Sequence, residues 1–396
     1  MKPASPPSSI RTRVYTSIVC LAGLLAAPVS FATPYLPSSD RQVLEKLPGR
    51  AGDTSTKELA ALRASAQQAP SDASAQAALA QRYIDLAAAR GDPRYIGYAD
   101  ALLQRFSKPF TAELFTIRGV LHQYRHDFQG GLQDFAQALK LDPEYAAAHA
   151  WRGAIYLVQA DYPAANKECM ALKRLEREAL HGACLGLAQA YAGDLQNGYQ
   201  TLLNALNIAR SDASRLWLLT RLGELAAWQG RADVARQHYT QAMALGKDDV
   251  YLLAAWSDFL LDNGQAQEVA KLLSAWESAD SLLVRLAIAE GLIGSPSAQR
   301  HRDMLRDRFA AARARGDTTH LAEEARFELQ VRKDPATAVR LAQENYAYQR
   351  EPRDARVLLE TAIAAKQAQA AKPVLDWLQS SKFEDPRMRQ LAKELQ

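Results

Sequence analysis

The stretch LLTRLGELAAWQGRADVARQHYTQAMAL, from Leu218 to Leu245, contains two amphipathic segments joined by a turn at Gly230. Apolar residues recur three or four positions apart on both sides of this turn, which is typical of helices with one buried face. Towards the N-terminus the pattern returns every 33 to 37 residues. One glycine marks each copy: Gly119, Gly153, Gly186 and Gly223. A fixed period of this length predicts stacked helix pairs, because a single pair cannot bury its apolar face without neighbours.

A second clear copy, FTIRGVLHQYRHDFQGGLQDFAQALKLDP, runs from Phe115 to Pro143. The glycines are expected where two helices approach closely, since a larger side chain would separate them. The pattern resembles the tetratricopeptide repeat family, with Arg118 where leucine is usual and Lys247 where a closing proline is usual. The resemblance implies an all-α, right-handed α-solenoid of roughly nine helix pairs.

The N-terminus has the features of a secretory signal. A basic lead with Lys2, Arg11 and Arg13 precedes a mostly apolar run over residues 14–27, and small residues follow at positions 30 and 32. This order predicts a cleaved signal peptide and export to a periplasm or an equivalent space. A retained membrane anchor is the alternative, although the run is marginal in length for a span. No later apolar run is long enough to span a membrane.

The domain organisation follows from these segments. We predict a signal peptide over residues 1–32, an extended lead-in over 33–55, degenerate helical repeats over 56–111, core repeats over 112–283 and irregular repeats over 284–396. The irregular repeats keep the repeat phase while losing the family residues, as expected near the end of a stack.

The charge balance gives no support for nucleic-acid binding. The formal net charge is +4, and the first 32 residues carry three basic and no acidic side chains, so the remainder is near neutral. One local exception is an arginine-rich segment over residues 300–315. We interpret it as a solvated helix face, and the alternative is a patch for anionic lipid head groups or an acidic partner.

Two cysteines, Cys169 and Cys184, lie outside the signal segment, on neighbouring helices of successive pairs in the repeat alignment. Export implies an oxidising compartment, which predicts a disulfide between them. The alternative is a pair of buried free thiols. No third or fourth ligand lies nearby, so we predict no metal site at these cysteines.

The sequence offers no catalytic motif. His122 and His126 could share a helix face and bind zinc, but the glutamate of a metalloprotease motif is missing, and we favour a structural role. A glycine-rich phosphate loop, a nucleophile elbow and a set of spaced carboxylates with a nucleophile are also absent from the sequence. We therefore predict neither an enzyme nor a cofactor.

The family resemblance also implies where a partner would bind. In that family, five positions of each first helix line the concave face of the solenoid. Carried over to this chain, the partner-binding residues are Tyr124, Tyr191, Trp217, Glu224, Trp228, Tyr251 and Asp258. The surface is expected to be apolar and aromatic, with no lysine or arginine cluster, which favours an apolar or helical ligand. Two alternatives are that the chain's own N-terminal segment fills the groove, or that tight coiling buries these residues.

The resemblance to periplasmic proteins of this family implies a non-catalytic scaffold or adaptor that holds an envelope protein for assembly, maturation or transport. The alternative is an accessory module of envelope polysaccharide or cell-wall machinery. Exposed aromatic rings beside carboxylates, such as Trp217, Trp228, Glu224 and Asp258, would suit a glycan.

Overall fold

The computed structural model describes residues 54–395, which contain 20 α-helices and no β-strand. The all-α class and the solenoid of helix pairs are therefore confirmed, while the right-handed sense stays a prediction. The predicted signal peptide and residues 33–53 of the predicted lead-in lie outside the described residues. Within residues 54–395 no helix has both the length and the apolar character needed to cross a membrane.

The helices follow one another in antiparallel pairs. The first ten are α1 (Thr54–Gln68), α2 (Ala73–Arg90), α3 (Arg94–Arg105), α4 (Ala112–Tyr124), α5 (Phe128–Leu141), α6 (Ala146–Val158), α7 (Tyr162–Arg174), α8 (Glu178–Tyr191), α9 (Leu195–Ile208) and α10 (Asp212–Trp228). The last ten are α11 (Ala232–Ala244), α12 (Val250–Asp262), α13 (Ala266–Leu273), α14 (Asp280–Ile293), α15 (Ala298–Ala314), α16 (Leu321–Arg326), α17 (Pro335–Tyr348), α18 (Pro352–Ala365), α19 (Lys372–Ser381) and α20 (Pro386–Glu394). A π-helical segment, Phe327–Arg332, continues α16, and a 3₁₀ turn, Ala368–Ala371, precedes α19.

The repeated glycines lie where the two helices of a pair touch. A Cβ atom on Gly119 would lie 2.5 Å from the ring of Phe135, and one on Gly223 would lie 2.8 Å from the ring of Tyr239. Both rings are fully buried. The glycine and the aromatic residue of each repeat therefore form one packing unit, which explains why they recur together.

Aspartates at the starts of the second helices recur with the same period. The side chains of Asp127, Asp161 and Asp194 accept hydrogen bonds from backbone N–H groups three residues ahead, at 2.9, 3.0 and 3.3 Å. Each cap satisfies a donor that the first helical turn leaves unpaired. These caps help to fix the start of α5, α7 and α9.

The C-terminal helices return to pack against the middle of the solenoid. The indole Nε1 of Trp377 donates a hydrogen bond to the hydroxyl of Tyr162 at 2.8 Å. The backbone N–H of Leu195 donates to the Glu384 carboxylate at 3.1 Å, and the rings of Trp228 and Phe383 meet edge to face with centroids 5.2 Å apart. The chain's own C-terminal end thus contacts the middle repeats near the turns that join their first and second helices. Burial by tight coiling, one of the two expected alternatives, holds for Tyr191, which is fully buried.

A disulfide joins Cys169 of α7 to Cys184 of α8, with a sulfur–sulfur distance of 2.01 Å and both side chains buried. It links successive helix pairs, as the repeat alignment predicts. The bond closes a loop across 15 residues of sequence.

Replacing both cysteines with alanine is expected to lower the free energy of unfolding by about 3 kcal/mol, because the unfolded chain regains the entropy of the open loop. Urea unfolding of the two proteins measures this difference. Reductant should move the wild-type midpoint to that of the variant and leave the variant unchanged. A wild-type midpoint that does not respond to reductant would show that the bond contributes nothing to stability.

Candidate functional site

The return of the C-terminal helices leaves a cavity of about 410 Å³ between the two ends of the solenoid. Its walls come from α2, α10, α11, α12, α14, α16, α18 and α20, and from the end of α4. Five of the seven predicted partner-binding residues line it: Tyr124, Glu224, Trp228, Tyr251 and Asp258. Residues from three separate first helices therefore meet in one place.

The other two predicted residues lie elsewhere. Tyr191 is fully buried, and its ring packs against Trp228 and Tyr162 with centroids 6.0 and 6.4 Å apart. It belongs to the core, because these two rings pack on it and are in turn contacted by Trp377 and Phe383 of the C-terminal end. Trp217 is 37% exposed and does not line the cavity, and the Arg221 guanidinium lies 5.5 Å from its ring centroid.

The cavity is rich in charge, so the expectation of a surface without an arginine cluster is wrong. Five arginines line it: Arg285, Arg326, Arg353, Arg356 and Arg387. All five belong to helices after residue 280, which lie beyond the repeats from which the concave face was inferred. The return of those helices places the arginines opposite the aromatic residues of α10 and α12.

Asp258 on α12 holds two of these arginines. Its carboxylate accepts Arg285 Nη2 at 2.6 Å and Arg285 Nε at 2.9 Å, and Arg326 Nη1 at 2.8 Å. Burial raises the pKa of Asp258, but the two guanidinium groups outweigh it and hold that pKa well below its usual range. The carboxylate is therefore ionised and ties α12 to α14 and α16.

Asp262, one turn further along α12, joins the C-terminal helices in the same way. It accepts Arg356 Nη2 at 2.6 Å and Arg356 Nη1 at 2.7 Å, and it also pairs with Arg387. These arginines lie 94 and 125 residues away in the sequence. The two aspartates at i and i+4 therefore form a double ionic attachment between the middle and the end of the chain.

Glu224 and Tyr251 contact each other directly. The Tyr251 hydroxyl donates to Glu224 Oε1 at 2.7 Å, and Arg221 Nη1 pairs with Glu224 Oε2 at 3.0 Å. The guanidinium of Arg221 lies 4.3 Å from the Tyr251 ring centroid, and that of Arg353 lies 5.4 Å from it. Burial raises the pKa of Tyr251 well above its usual value, so this phenol stays protonated as a donor.

Asp354 at the start of α18 is a carboxyl group whose pKa is shifted far from its usual value. It is buried and accepts hydrogen bonds from Asn345 Nδ2 at 3.0 Å and from the backbone N–H of Glu351 at 3.2 Å. Burial raises its pKa from 3.8 to about 7. In the folded state Asp354 is therefore mainly protonated below about pH 7.

The stability of the protein is expected to fall by about 2 to 3 kcal/mol between pH 5 and pH 8 through this group. A folded-state pKa above the unfolded-state pKa stabilises the fold fully below the unfolded value, and the contribution is lost as pH rises towards and through about 7. Urea unfolding at several pH values measures the slope. The Asp354→Asn variant should lose most of it, and a variant with the wild-type slope would contradict the assignment.

The two histidines that could have shared a zinc site contact different groups. His122 Nδ1 lies 2.7 Å from the carboxylate of Asp127, whereas His126 lines the cavity beside the ring of Phe128. Burial lowers the pKa of His126 to about 4, so its imidazole is neutral at pH 7. Among residues 54–395 no three His, Cys, Asp or Glu side chains are grouped to hold a metal ion.

The arginine-rich helix α15 is largely neutralised by nearby carboxylates. Its ion pairs are Arg300 with Glu277, Arg306 with Asp303, Arg308 with Asp280 and Arg313 with Glu324. This arrangement favours the solvated helix face over a patch for anionic lipid or an acidic partner, because the paired guanidinium groups are already occupied.

No protein-family model and no curated protein matches the sequence. Among solved structures, the chain is similar to the anaphase-promoting-complex hetero-tetramer Cut9–Hcn1, at 12% identity over 86% of this chain and 67% of that one, with a TM-score of 0.49. It is also similar to yeast Tom70, at 11% identity over 86% and 85% of the two chains, with a TM-score of 0.45. A tetratricopeptide repeat protein from Parabacteroides merdae shares 15% identity over 63% and 98%, with a TM-score of 0.36.

Proposed function

We propose that the chain is an exported, non-catalytic scaffold that binds a protein of the cell envelope, and that the cavity receives part of that protein. The observation that carries this proposal is the meeting of Tyr124, Trp228 and Tyr251, from three repeats, in one cavity. Aromatic side chains contribute much of the binding energy in protein interfaces. A cavity with several aromatic walls and a few placed polar groups is also the usual form of a binding site.

The volume of the cavity limits what can enter it. One turn of an α-helix about 10 Å wide and 5.4 Å high fills about 420 Å³. The cavity measures about 410 Å³. A single helical turn or a chain end therefore matches the cavity in size. The bound part of the partner is accordingly a short segment.

Export is a further part of the proposal. It is supported by the basic and apolar order of residues 2–32 and by the Cys169–Cys184 disulfide, since such bonds persist in oxidising compartments. A periplasm or an equivalent space meets both requirements.

The polysaccharide alternative has one observation in its favour, because aromatic rings and carboxylates do meet in the cavity. However, Glu224 already accepts Tyr251 and pairs with Arg221, and Asp258 is held by two arginines. These carboxylates have few acceptor positions left for sugar hydroxyls. We therefore favour a protein partner.

Site-specific photo-cross-linking in cells of the native organism tests this function. A photo-reactive residue at Tyr124 probes the cavity, and one at Tyr98, which is 49% exposed on α3 and outside the cavity, serves as the matched control. We expect one dominant envelope protein attached at Tyr124 and not at Tyr98. Equal attachment at both positions would contradict the proposal, and loss of attachment on adding soluble envelope glycan would favour the polysaccharide alternative.

A further inference from the structure

The cavity carries more negative than positive groups. Eight carboxylate residues line it: Glu224, Asp249, Asp258, Asp262, Glu323, Asp354, Glu360 and Asp385. Five arginines face them. Two further charged residues contact the lining and cancel each other in charge: Arg221 pairs with Glu224, and Glu351 pairs with Arg353. The excess of carboxylates makes the cavity a better place for a cation than for an anion.

The arginines are already bonded to particular carboxylates. Asp258 forms ion pairs with Arg285 and Arg326, while Asp262 forms ion pairs with Arg356 and Arg387. Arg353 pairs with Glu351 at 3.2 Å, and Arg356 also pairs with Glu360 at 2.6 Å. An anionic ligand would have to compete with these carboxylates for the guanidinium groups, and the Arg285 side chain of the pair with Asp258 is only 5% exposed.

Asp385 accepts the backbone N–H of Arg387 at 2.8 Å and caps α20. Two other remaining carboxylates also cap helices. Asp249 accepts the backbone N–H of Leu252 at 2.7 Å at the start of α12, and Asp354 accepts the backbone N–H of Glu351 at the start of α18. Their oxygens thus satisfy helix N-termini. Burial raises the pKa of both groups, which reduces the negative charge that they carry.

Glu323 differs from all of these. It lines the cavity near the start of α16 and forms no ion pair with any residue in the range 54–395. Burial raises its pKa, but the positive charges of Arg285, His320 and Arg353 outweigh burial and lower it, so the carboxylate is ionised. Arg285 and Arg353 are bonded to Asp258 and Glu351. Glu323 is therefore a charged acceptor without an ionic partner.

We propose that Glu323 accepts a cationic group of the bound segment, either a lysine or arginine side chain or a free amino terminus. The rings of Tyr124, Trp228 and Tyr251 line the same cavity and can pack against the aliphatic stem or the cation itself. This proposal deepens the proposed function, on which it rests, by giving the chemistry of the partner's segment. A hydrogen bond to a charged group of this kind is worth about 1.5 to 3 kcal/mol, which corresponds to a 10-fold to 100-fold change in affinity.

A titration with small probes tests the assignment. Nα-acetyl-lysine methylamide carries a positive charge on its side chain. Nα-acetyl-norleucine methylamide has a neutral side chain, and Nα-acetyl-glutamate methylamide carries a negative charge. The indole signal of Trp228 in ¹⁵N-tryptophan-labelled protein reports occupation of the cavity. We expect the lysine probe to shift this signal at concentrations at least tenfold lower than either other probe.

Variants of the protein distinguish an effect of the Glu323 carboxylate from an effect of net charge. Glu323→Gln should weaken the lysine probe at least tenfold, and Glu323→Asp, which keeps the charge, should restore part of the affinity. Glu344→Gln removes the same charge from α17 outside the cavity and should leave the affinity within twofold. Unchanged binding of the lysine probe to Glu323→Gln, or tighter binding of the glutamate probe to the wild type, would overturn the proposal.

The two proposals fail in different ways. Selective attachment of an envelope protein at Tyr124, together with no preference for the lysine probe, would leave the scaffold function standing and remove the role of Glu323. A lysine probe that binds through Glu323 in a protein that attaches no envelope protein would support the cation site and remove the protein partner.

Discussion

Gly193→Ala is expected to lower the free energy of unfolding by about 3 to 4 kcal/mol, one of the largest effects of any single methyl group added to this chain. Gly193 follows α8 with φ at +89°. A Cβ atom there would collide with the backbone carbonyl of Ser381 and lie 3.0 Å from that of Lys382. Both carbonyls belong to the end of the C-terminal helix α19, so either α19 moves away or the loop at Gly193 distorts.

Gly230→Ala is the matched control for this variant. Gly230 occupies the equivalent place in the next repeat, with φ at +71°, and a Cβ atom there would meet nothing within 4 Å. Alanine at Gly230 therefore adds only the backbone strain of about 1 kcal/mol. Urea unfolding of both variants measures the difference. Equal losses for the two would mean that α19 does not pack against this loop.

Asp258→Ala is expected to lower the free energy of unfolding by about 3 to 5 kcal/mol, because it leaves the guanidinium groups of Arg285 and Arg326 buried without their shared carboxylate. The side chain of Arg285 is 5% exposed, so its guanidinium has little solvent contact to compensate for the lost partner. Chemical unfolding at pH 7 measures this effect.

Two controls accompany Asp258→Ala: the same measurement in acid, and a variant that breaks an exposed ion pair. The pKa of Asp258 is lowered in the folded state, so its contribution is fully present above the unfolded-state value and is lost as pH falls through the folded-state value. The difference between variant and wild type should therefore shrink in strong acid. Asp303→Ala, which breaks the exposed pair with Arg306, should cost less than about 1 kcal/mol. A similar cost for both substitutions would contradict the buried ionic attachment.

The helix pairs could be predicted from the sequence because their determinants are local and repeated. Gly119 and Phe135 are 16 residues apart and touch directly, and Gly223 and Tyr239 repeat the same spacing and contact. The spacing of Cys169 and Cys184 across two neighbouring helices belongs to the same class of short-range information. Capping aspartates such as Asp127 also recur with the period, and that signal was available in the sequence.

The cavity could be predicted only in part, because its second wall depends on how far the solenoid coils. The aromatic wall follows from the repeat positions of Trp228 and Tyr251. The charged wall comes from contacts between residues 27 to 125 positions apart, and the small rotation between successive pairs sets whether they meet. One signal did exist: Arg285 is the only charged residue in the apolar run over residues 282–289, and a lone charge on a buried helix requires a partner.

The cavity, the proposed scaffold and the role of Glu323 all depend on the packing of the C-terminal helices against the middle repeats. A double-mutant cycle with Trp228→Ala and Phe383→Ala tests it most directly, since these rings meet only because the chain returns. Urea unfolding of the wild type, both single variants and the double variant gives the coupling energy. A coupling of about 1 kcal/mol is expected for an aromatic pair in edge-to-face contact. A coupling of zero, with both single variants folded, would mean that the solenoid remains open and that the cavity does not form.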